Sequence, residues 1–401
     1  MKIPFMRFVD SAAGVPLCWL LNGGFALANL MNLGRHRRAA RAREAPRRIL
    51  VMKFLGLGTI MLAGPLLRAL RTRHPGCRIE VATFAENIAV VSRLPGIDGV
   101  VPVSHDGPLG FVVDSLRLLT RCWTRGYDAV IDLEVYSKYS TLLVALSGAP
   151  VRVGFFELTT RFRRGIYSDL FYFNKLRHIT RVLVQAGTPF GAVAPDERPL
   201  APEVTEKDRS EALELVRGAG LDGHRLLLVN PNASDLCTER RWPPEAFART
   251  VSRLLERHSE LGAVFIGAPA EREFTRSVRE AVDGAVRDRT ASAAGSLSLP
   301  GALGLLSSGV LLLTNDSGPL HLAWALGVPT VSLWGPGTPL SYGPLGPGHT
   351  VINRLVPCSP CLYFTDRPPC GGVNVCMTSI GEDEVVAACE DRLAARAVAG
   401  P

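Results

Sequence analysis

The chain predicts two doubly wound α/β halves, on three observations. Short apolar runs alternate with longer stretches of helical periodicity, a glycine turn follows the first run, and a polar segment rich in Gly and Pro divides the chain near its middle. Short apolar strands separated by helices imply a parallel sheet covered on both faces. With 401 residues, 47% apolar and 20% charged, the chain is long enough for two cores. That composition excludes disordered, collagen-like and coiled-coil chains.

Residues 1–48 stand apart from this pattern. Ser11 to Gly34 carries no charge and includes Leu17, Trp19, Leu20, Leu21, Phe25, Leu27, Leu30 and Met31. Pro16, Asn22, Gly23, Gly24, Asn29 and Asn32 interrupt it, so an interfacial or half-inserted hairpin is expected in place of a clean span. It also lacks the basic start and small-residue cleavage site of a signal peptide. Seven Arg and one Glu follow in residues 35–48, and they hold most of the formal charge of +8. The remainder of the chain is close to neutral, which excludes a nucleic-acid-binding body. An Arg collar beside an apolar run suits anionic headgroups, each Arg contributing about 1 kcal/mol. A solvated linker behind a helix packed on the body is the alternative.

The first half, residues 49–195, opens with the strand ILVMKF (49–54), the turn Gly56-Leu57-Gly58 and a helix from Ile60 to Arg73. Further strands are expected at Arg78–Thr83, Val100–Val103, Ala129–Leu133 and Val151–Phe155. Residues 187–206 read as the linker. The second half, residues 206–390, repeats the alternation: helix Glu206–Gly218, strand Arg225–Val229, helix Pro243–His258, strands Ala263–Ile266 and Val310–Thr314, helix Pro319–Leu326 and strand Thr330–Leu333. Two such halves enclose a cleft, with ligands at the carboxyl ends of strands.

The most informative stretch is LLLTNDSGPLHLAWALGVPTVSLWGP (311–336). A strand ends at Thr314, Asn315-Asp316-Ser317-Gly318 follows, and Pro319 opens a helix, with Asp316 or Ser317 suited to its cap. Unused backbone N–H groups at such a helix start, approached over small residues, form a phosphate site. His321, one turn on, is placed to face the same anion. The plain alternative is that these residues only cap a helix.

Those motifs carry a resemblance. The order Asn-Asp-Ser-Gly-Pro, His321, Ala-Leu-Gly-Val-Pro-Thr (325–330), Trp334-Gly335-Pro336 and Tyr342-Gly343-Pro344 is similar to the donor-binding half of glycosyltransferase family 9. That family contains the ADP-heptose:lipopolysaccharide heptosyltransferases. The likeness continues in NPNAS (230–234), in Arg240-Arg241-Trp242-Pro243 and in Gly267-Ala268-Pro269 with Glu271. In the first half it runs through residues 49–70, 78–91, 127–134 and 142–155. It implies a GT-B arrangement, two Rossmann-like domains facing a central cleft, with an amino-terminal apolar and basic extension beyond it. It also implies an inverting, metal-independent transferase needing no cofactor, with an ADP-heptose-like nucleotide sugar as donor and a glycolipid as acceptor. Together with the apolar and Arg-rich residues 1–48, the expected place is the cytoplasmic face of the inner membrane, reached peripherally or monotopically through that segment.

Carried over residue by residue, the resemblance implies that Ser317, Gly318 and the helix start hold the donor diphosphate, with Asp316 and His321 nearby. Arg240 falls where the family commonly has Lys, beside Arg241, and Asn230 where a His is frequent. An Arg keeps the charge and adds a planar fork for phosphate oxygens. One departure matters: the place after Leu57-Gly58 where heptosyltransferases carry an Asp, thought to be the general base, holds Thr59. Threonine is no base near pH 7, while inverting transfer needs a carboxylate or His to take the acceptor proton. Glu134 is the first candidate, ahead of Asp132 and His105, with Thr59 left as an acceptor contact and Lys53 as lining. The departure keeps a second function open, a protein that binds nucleotide sugar or glycolipid without catalysis. A GT-B-shaped nucleotide-sugar epimerase is a third.

Two further patterns remain. Cys358, Cys361, Cys370 and Cys376 lie in a Pro- and Gly-rich loop, and only the first pair has knuckle-like spacing. A structural zinc, reduced packing thiols and disulfides are all open. Residues 155–177 mix aromatics with Arg161, Arg163, Arg164 and Arg177. This cluster reads either as an acceptor-side surface for an anionic glycolipid or as part core and part solvated loop.

Overall fold

The computed structural model describes Asp10 and residues 14–30, 33–233, 237–362, 364–365 and 368–399. Residues 1–9, 11–13 and 31–32 of the predicted membrane segment, and Ser234 of the Asn-Pro-Asn motif, lie outside the described residues. The chain forms two compact units, residues 1–200 and 201–401.

Unit 1 contains helices α1 (Gly14–Leu30) and α2 (Leu33–Glu44), then β1 (Arg48–Met52), α3 (Leu57–Leu62), α4 (Gly64–Arg73), β2 (Arg78–Phe84), α5 (Ile88–Val91), β3 (Gly99–Val103), α6 (Pro108–Arg125), β4 (Ala129–Asp132), α7 (Lys138–Leu146), β5 (Val151–Phe156), β6 (Asp169–Tyr172) and α8 (Ile179–Val184). Its strands pair in parallel in the order β3-β2-β1-β4-β5-β6. Unit 2 contains α9 (Glu206–Gly218), β7 (Arg225–Asn230), α10 (Pro244–Arg257), β8 (Leu261–Phe265), α11 (Arg272–Glu280), β9 (Thr290–Ser292), α12 (Leu299–Ser308), β10 (Gly309–Asn315), α13 (Gly318–Ala325), β11 (Thr330–Trp334), α14 (Pro339–Tyr342), β12 (His349–Asn353), α15 (Val375–Thr378) and α16 (Glu382–Ala399). Its order, β12-β11-β10-β7-β8-β9, is again parallel throughout. In both sheets the first strand in sequence lies beside the fourth, and the crevice at the carboxyl ends of that pair is the topological switch point.

The central strands form because they are apolar on both faces: Ile49–Met52 of β1 and all of β11 are buried. Pro in the first turn starts α6, α10, α12 and α13, where a missing N–H is harmless. The helix expected from Ile60 to Arg73 is two helices, because Gly64-Pro65 follows Ala63 and Pro65 offers no N–H to continue the first. The strands without a predicted counterpart, β6, β9 and β12, lie at or next to sheet edges and carry Asp169, Thr290 and His349 in place of a continuous apolar run.

The amino-terminal segment, expected as a hairpin, forms one helix through Asn22, Gly23 and Gly24. Helix α1 packs on α7. Cys18 is buried, Leu21 and Phe25 join the unit 1 core, and Arg152 sits 4.9 Å over the Phe25 ring. The Asp10 carboxylate accepts the Lys138 and Tyr139 amides, at 3.1 and 2.6 Å, in the first turn of α7. Helix α2 buries Ala39 and Ala42 and pairs Arg43 with Asp169 at 2.8 Å. Among the described residues no helix is long and apolar enough to cross a membrane. In the cluster at 155–177, Phe155, Phe162, Arg163, Tyr167 and Phe173 belong to the buried interior, while Tyr172 is exposed.

Candidate active site

In unit 2 the strand ends converge on the stretch singled out from the sequence. Asn230 closes β7, and its amide donates across the switch point to Thr314 Oγ1 (3.0 Å) and Ser317 Oγ (2.7 Å). Asn315, the last residue of β10, donates to the Pro231 carbonyl at 2.8 Å and accepts the Trp242 amide at 3.1 Å. Asn232 ties this loop to Ile266 O and Thr275 Oγ1, both at 3.0 Å. These neutral amides fix the loops without charge. Gly337 and Gly267 belong to the same frame: a side chain at Gly337 would strike the Asp316 carboxylate, and one at Gly267 would meet Asn232 and Thr275 at 2.8 Å.

Ser317 is the N-cap of α13, with its hydroxyl turned to Asn230, Thr314 and the Asn315 carbonyl and not onto the helix N–H groups. The backbone N–H groups of that first turn therefore have no side-chain cap from Ser317. Gly318 faces open space, with no atom within 4 Å of where a Cβ would stand. Beside it Arg240 Nη1 approaches Asp316 Oδ2 at 3.5 Å, both side chains largely covered. Burial raises the Asp316 carboxyl above its ordinary value and Arg240 draws it back down. His321 is buried one turn into α13. The structure thus brings together Asn230, Arg240, Asp316, Ser317, Gly318 and His321. Arg241 has other neighbours: its guanidinium stacks 4.4 Å over the Phe274 ring and donates to the Ala233 carbonyl at 3.3 Å.

In unit 1 the equivalent crevice lies between β1 and β4. Glu134 Oε1 reaches across it to accept the amides of Phe54 (2.8 Å) and Leu55 (2.9 Å) and to pair with Lys53 Nζ at 2.9 Å. Glu134 is 8% exposed. Thr59 sits half-buried in the first turn of α3, on the loop that Glu134 holds. His105, at the carboxyl end of β3, lies 3.4 Å from the Glu86 carboxylate with its ring 4.8 Å from Phe84. Asp132 is different. It is wholly buried, and its two oxygens accept from the Glu134 amide (2.9 Å), Ser140 Oγ (2.9 Å), Tyr167 OH (2.6 Å) and Arg163 Nη2 (3.1 Å). Burial raises its pKa and Arg163 opposes that rise. A carboxylate so enclosed, out of solvent reach, holds α7 and the 155–167 segment to the sheet and is no partner for an acceptor hydroxyl. Its role was hidden because Arg163, 31 residues away, looked like part of a surface cluster.

Of the three readings of the four cysteines, zinc is not supported by the structure. Among the described residues no group of three or more His, Cys, Asp or Glu is placed to hold a metal ion. All nine cysteines are free thiols. Cys358 is exposed while Cys361 and Cys376 are buried, and the Cys376 sulfur lies 3.6 Å from Asn374 Oδ1. Burial, and then the neighbouring thiols Cys358, Cys361 and Cys370, raise Cys376 to about 11. This loop buttresses the strand end beneath it: the Cys361 and Leu362 amides donate to the Pro336 carbonyl at 3.1 and 3.0 Å.

Comparison with known proteins agrees with this geometry. The model of glycosyltransferase family 9 (heptosyltransferase) matches residues 116–370. The chain is similar to lipopolysaccharide heptosyltransferase 2 of Salmonella typhimurium, 24% identical over 318 residues that cover 77% of this chain and 88% of that one. Among solved structures it resembles the glycosyl transferase family 9 protein of Veillonella parvula, with a TM-score of 0.73 and 25% identity over 87% of this chain and 98% of that one. It also resembles the E. coli ADP-heptose lps heptosyltransferase II, with a TM-score of 0.70 and 21% identity over 86% and 98% of the two chains.

Proposed function

Because the chain belongs to glycosyltransferase family 9, and is therefore a glycosyltransferase, we propose that it moves a sugar, heptose first among candidates, from a nucleoside diphosphate to a lipopolysaccharide or other lipid-linked glycan, with inversion and without a metal. Unit 2 is the donor side and unit 1 the acceptor side. The observation that carries the reading is the open backbone at Gly318 beside Arg240, at the switch point of unit 2. A diphosphate there would be met by the first-turn N–H groups of α13 and the Arg240 guanidinium, with Ser317 and Asn230 shaping the loop and His321 a turn behind. Leaving-group charge met by fixed donors is the largest contribution such a site can make to transfer. The name of the E. coli fold relative, an ADP-heptose enzyme, supports heptose and adenine as the first donor to test.

Proton removal from the acceptor falls to Glu134. All three of its hydrogen bonds and ion pairs named above engage Oε1, so Oε2 is the oxygen toward which a hydroxyl would turn. Thr59 contributes an acceptor contact from the adjoining loop. The same clamp favours a second reading, in which Glu134 only secures the loop and the chain binds nucleotide sugar or glycolipid without turnover. Incubation with ADP-heptose and a lipid-linked acceptor releases ADP under the first reading. Glu134→Gln then lowers kcat by about 100-fold or more while the donor still binds. Donor binding without ADP release, in the parent chain and across a panel of nucleotide sugars, would establish the second.

Attachment to the cytoplasmic face of the inner membrane, peripheral or monotopic and through residues 1–48, completes the proposal. Leu17, Trp19 and Leu20 exposed on α1, with Arg38 and Arg41 exposed on α2, support it.

A further inference from the structure

Helix α6 is unusual for a helix covering a doubly wound sheet. Its inner side is ordinary: Leu118, Leu119 and Cys122 are buried in the unit 1 core. Its outer side should be charged, yet Leu109, Val112, Leu116 and Trp123, spaced three, four and seven residues apart, are all more than half exposed, Leu109 at 78% and Trp123 at 59%. The next flank of the helix carries Arg117, Arg121 and Arg125 at four-residue spacing. Arg121 is held inward by the buried Glu80 at 2.8 Å, while Arg117, 76% exposed, makes only a surface pair with Asp114, and Arg125 is exposed. An exposed apolar stripe bordered by arginines is the pattern of a helix lying in a membrane interface.

A second helix continues this surface. Helices α1 and α6 both pack on α7, and Cys18, Leu118, Cys122 and Val144 belong to one core cluster on one side of the sheet. Their outward faces therefore look away from the sheet in the same direction. On α1 that face carries Leu17, Trp19 and Leu20, the last 73% exposed. Between them Trp123 Nε1 donates to the Leu146 carbonyl at 2.8 Å, which pins the indole over the end of α7. The plane meets the chemistry at one edge. Helices α6 and α7 start where β3 and β4 end, and Asp10 fixes the approach to α1 at the start of α7. Glu134 lies at that edge, at the end of β4.

We propose that α6 and α1 together form a docking plane for an anionic bilayer, with Leu116 and Trp123 in the headgroup boundary and Arg117 and Arg125 on lipid phosphates. This deepens the membrane attachment proposed above and rests on it. The exposed Arg117 and Arg125 select the occupant. A second copy seated on this plane would set these like charges against each other, whereas phosphatidylglycerol neutralises them.

The test uses the full chain with vesicles of phosphatidylethanolamine and phosphatidylglycerol, beside vesicles of phosphatidylcholine alone. The double variant Val112→Glu, Leu116→Glu alters exposed positions only, so the fold is expected to stand, as a melting curve checks. Its partition to anionic vesicles should fall about tenfold or more. Brominated acyl chains should quench Trp19 and Trp123, since Trp242, Trp324 and Trp334 are buried, and Trp123→Phe should remove part of that quenching. A double variant that partitions like the parent overturns the proposal, as does equal binding to both vesicle types. If Arg38→Gln, Arg41→Gln releases the chain while the α6 variant stays bound, the docking plane falls and the attachment through residues 1–48 stands. Failure of the parent to bind any vesicle overturns both. A change of oligomeric state in the α6 variant with vesicle binding intact assigns the face to a second copy, against the proposal.

Discussion

The two units have the same strand order, yet their switch points are closed by different contacts. In unit 1 the crevice between β1 and β4 is closed by charge: Glu134 bridges the strands to Lys53, and the buried Asp132–Arg163 pair lies directly behind it. In unit 2 the crevice between β7 and β10 is closed by the neutral amides Asn230, Asn232 and Asn315, and its one ion pair among those named above, Arg240–Asp316, is looser at 3.5 Å. Charge that is already paired holds loops firmly and leaves little field for a ligand. Neutral amides satisfy one another and leave the first turn of α13 to an incoming anion. This difference is the physical reason for assigning the diphosphate to unit 2.

The largest expected effect tests the charged side. Replacing Arg163 with Met leaves Asp132 buried without its counter-charge, and such a change destabilises a protein by about 3–5 kcal/mol. Urea unfolding of the full chain should show a loss of that order. The double change Arg163→Met, Asp132→Asn should recover much of it, because no ion is then buried. A small effect of the single change would mean that Tyr167 and Ser140 alone hold the carboxylate, and the contrast between the units would weaken.

On the neutral side the corresponding change acts on the ligand and not on the fold. Gly318→Val places its branch in open space, so the melting temperature should stay near that of the parent. Transfer should fall about 100-fold through loss of the donor N–H contacts. Isothermal titration with ADP checks whether the loss is in binding. Wild-type affinity in this variant would remove the diphosphate from α13. Next in size, Arg240→Gln should raise the donor KM about tenfold, whereas Arg241→Gln should leave KM alone and lower stability, because Arg241 stacks on Phe274.

That last pair marks where reading the sequence stopped. Adjacent arginines in one motif look equivalent, and only the fold turns one toward Asp316 and the other toward Phe274. The strand ends and the α13 start were legible because each is a local event: an apolar run stopping at polar residues, a Pro in a first turn. Asp132 was misread as a candidate base because its partners Arg163 and Tyr167 come from a distant segment. Three edge strands, β6, β9 and β12, escaped because a strand paired on one side does not need an apolar run. For the four cysteines, spacing alone could not say that Cys361 and Cys376 are buried while Cys358 is exposed.

The smallest effect concerns acid. His349 on β12 pairs its Nδ1 with Thr330 Oγ1 at 3.0 Å, and burial, aided by Arg392, lowers its pKa to about 4. The unfolded chain takes up that proton near pH 6.5 and the native chain only near pH 4. Between those values the unfolded state binds more protons, so stability falls as the pH drops through this window and is restored above it. Because the ring is half-buried, the loss between pH 7 and pH 5 should be about 1 kcal/mol. His349→Gln should remove that part of the pH dependence and leave the Asp132–Arg163 contribution of unit 1 untouched. Unfolding curves of parent and variant that separate by the same amount at both pH values would show that folding does not lower the His349 pKa.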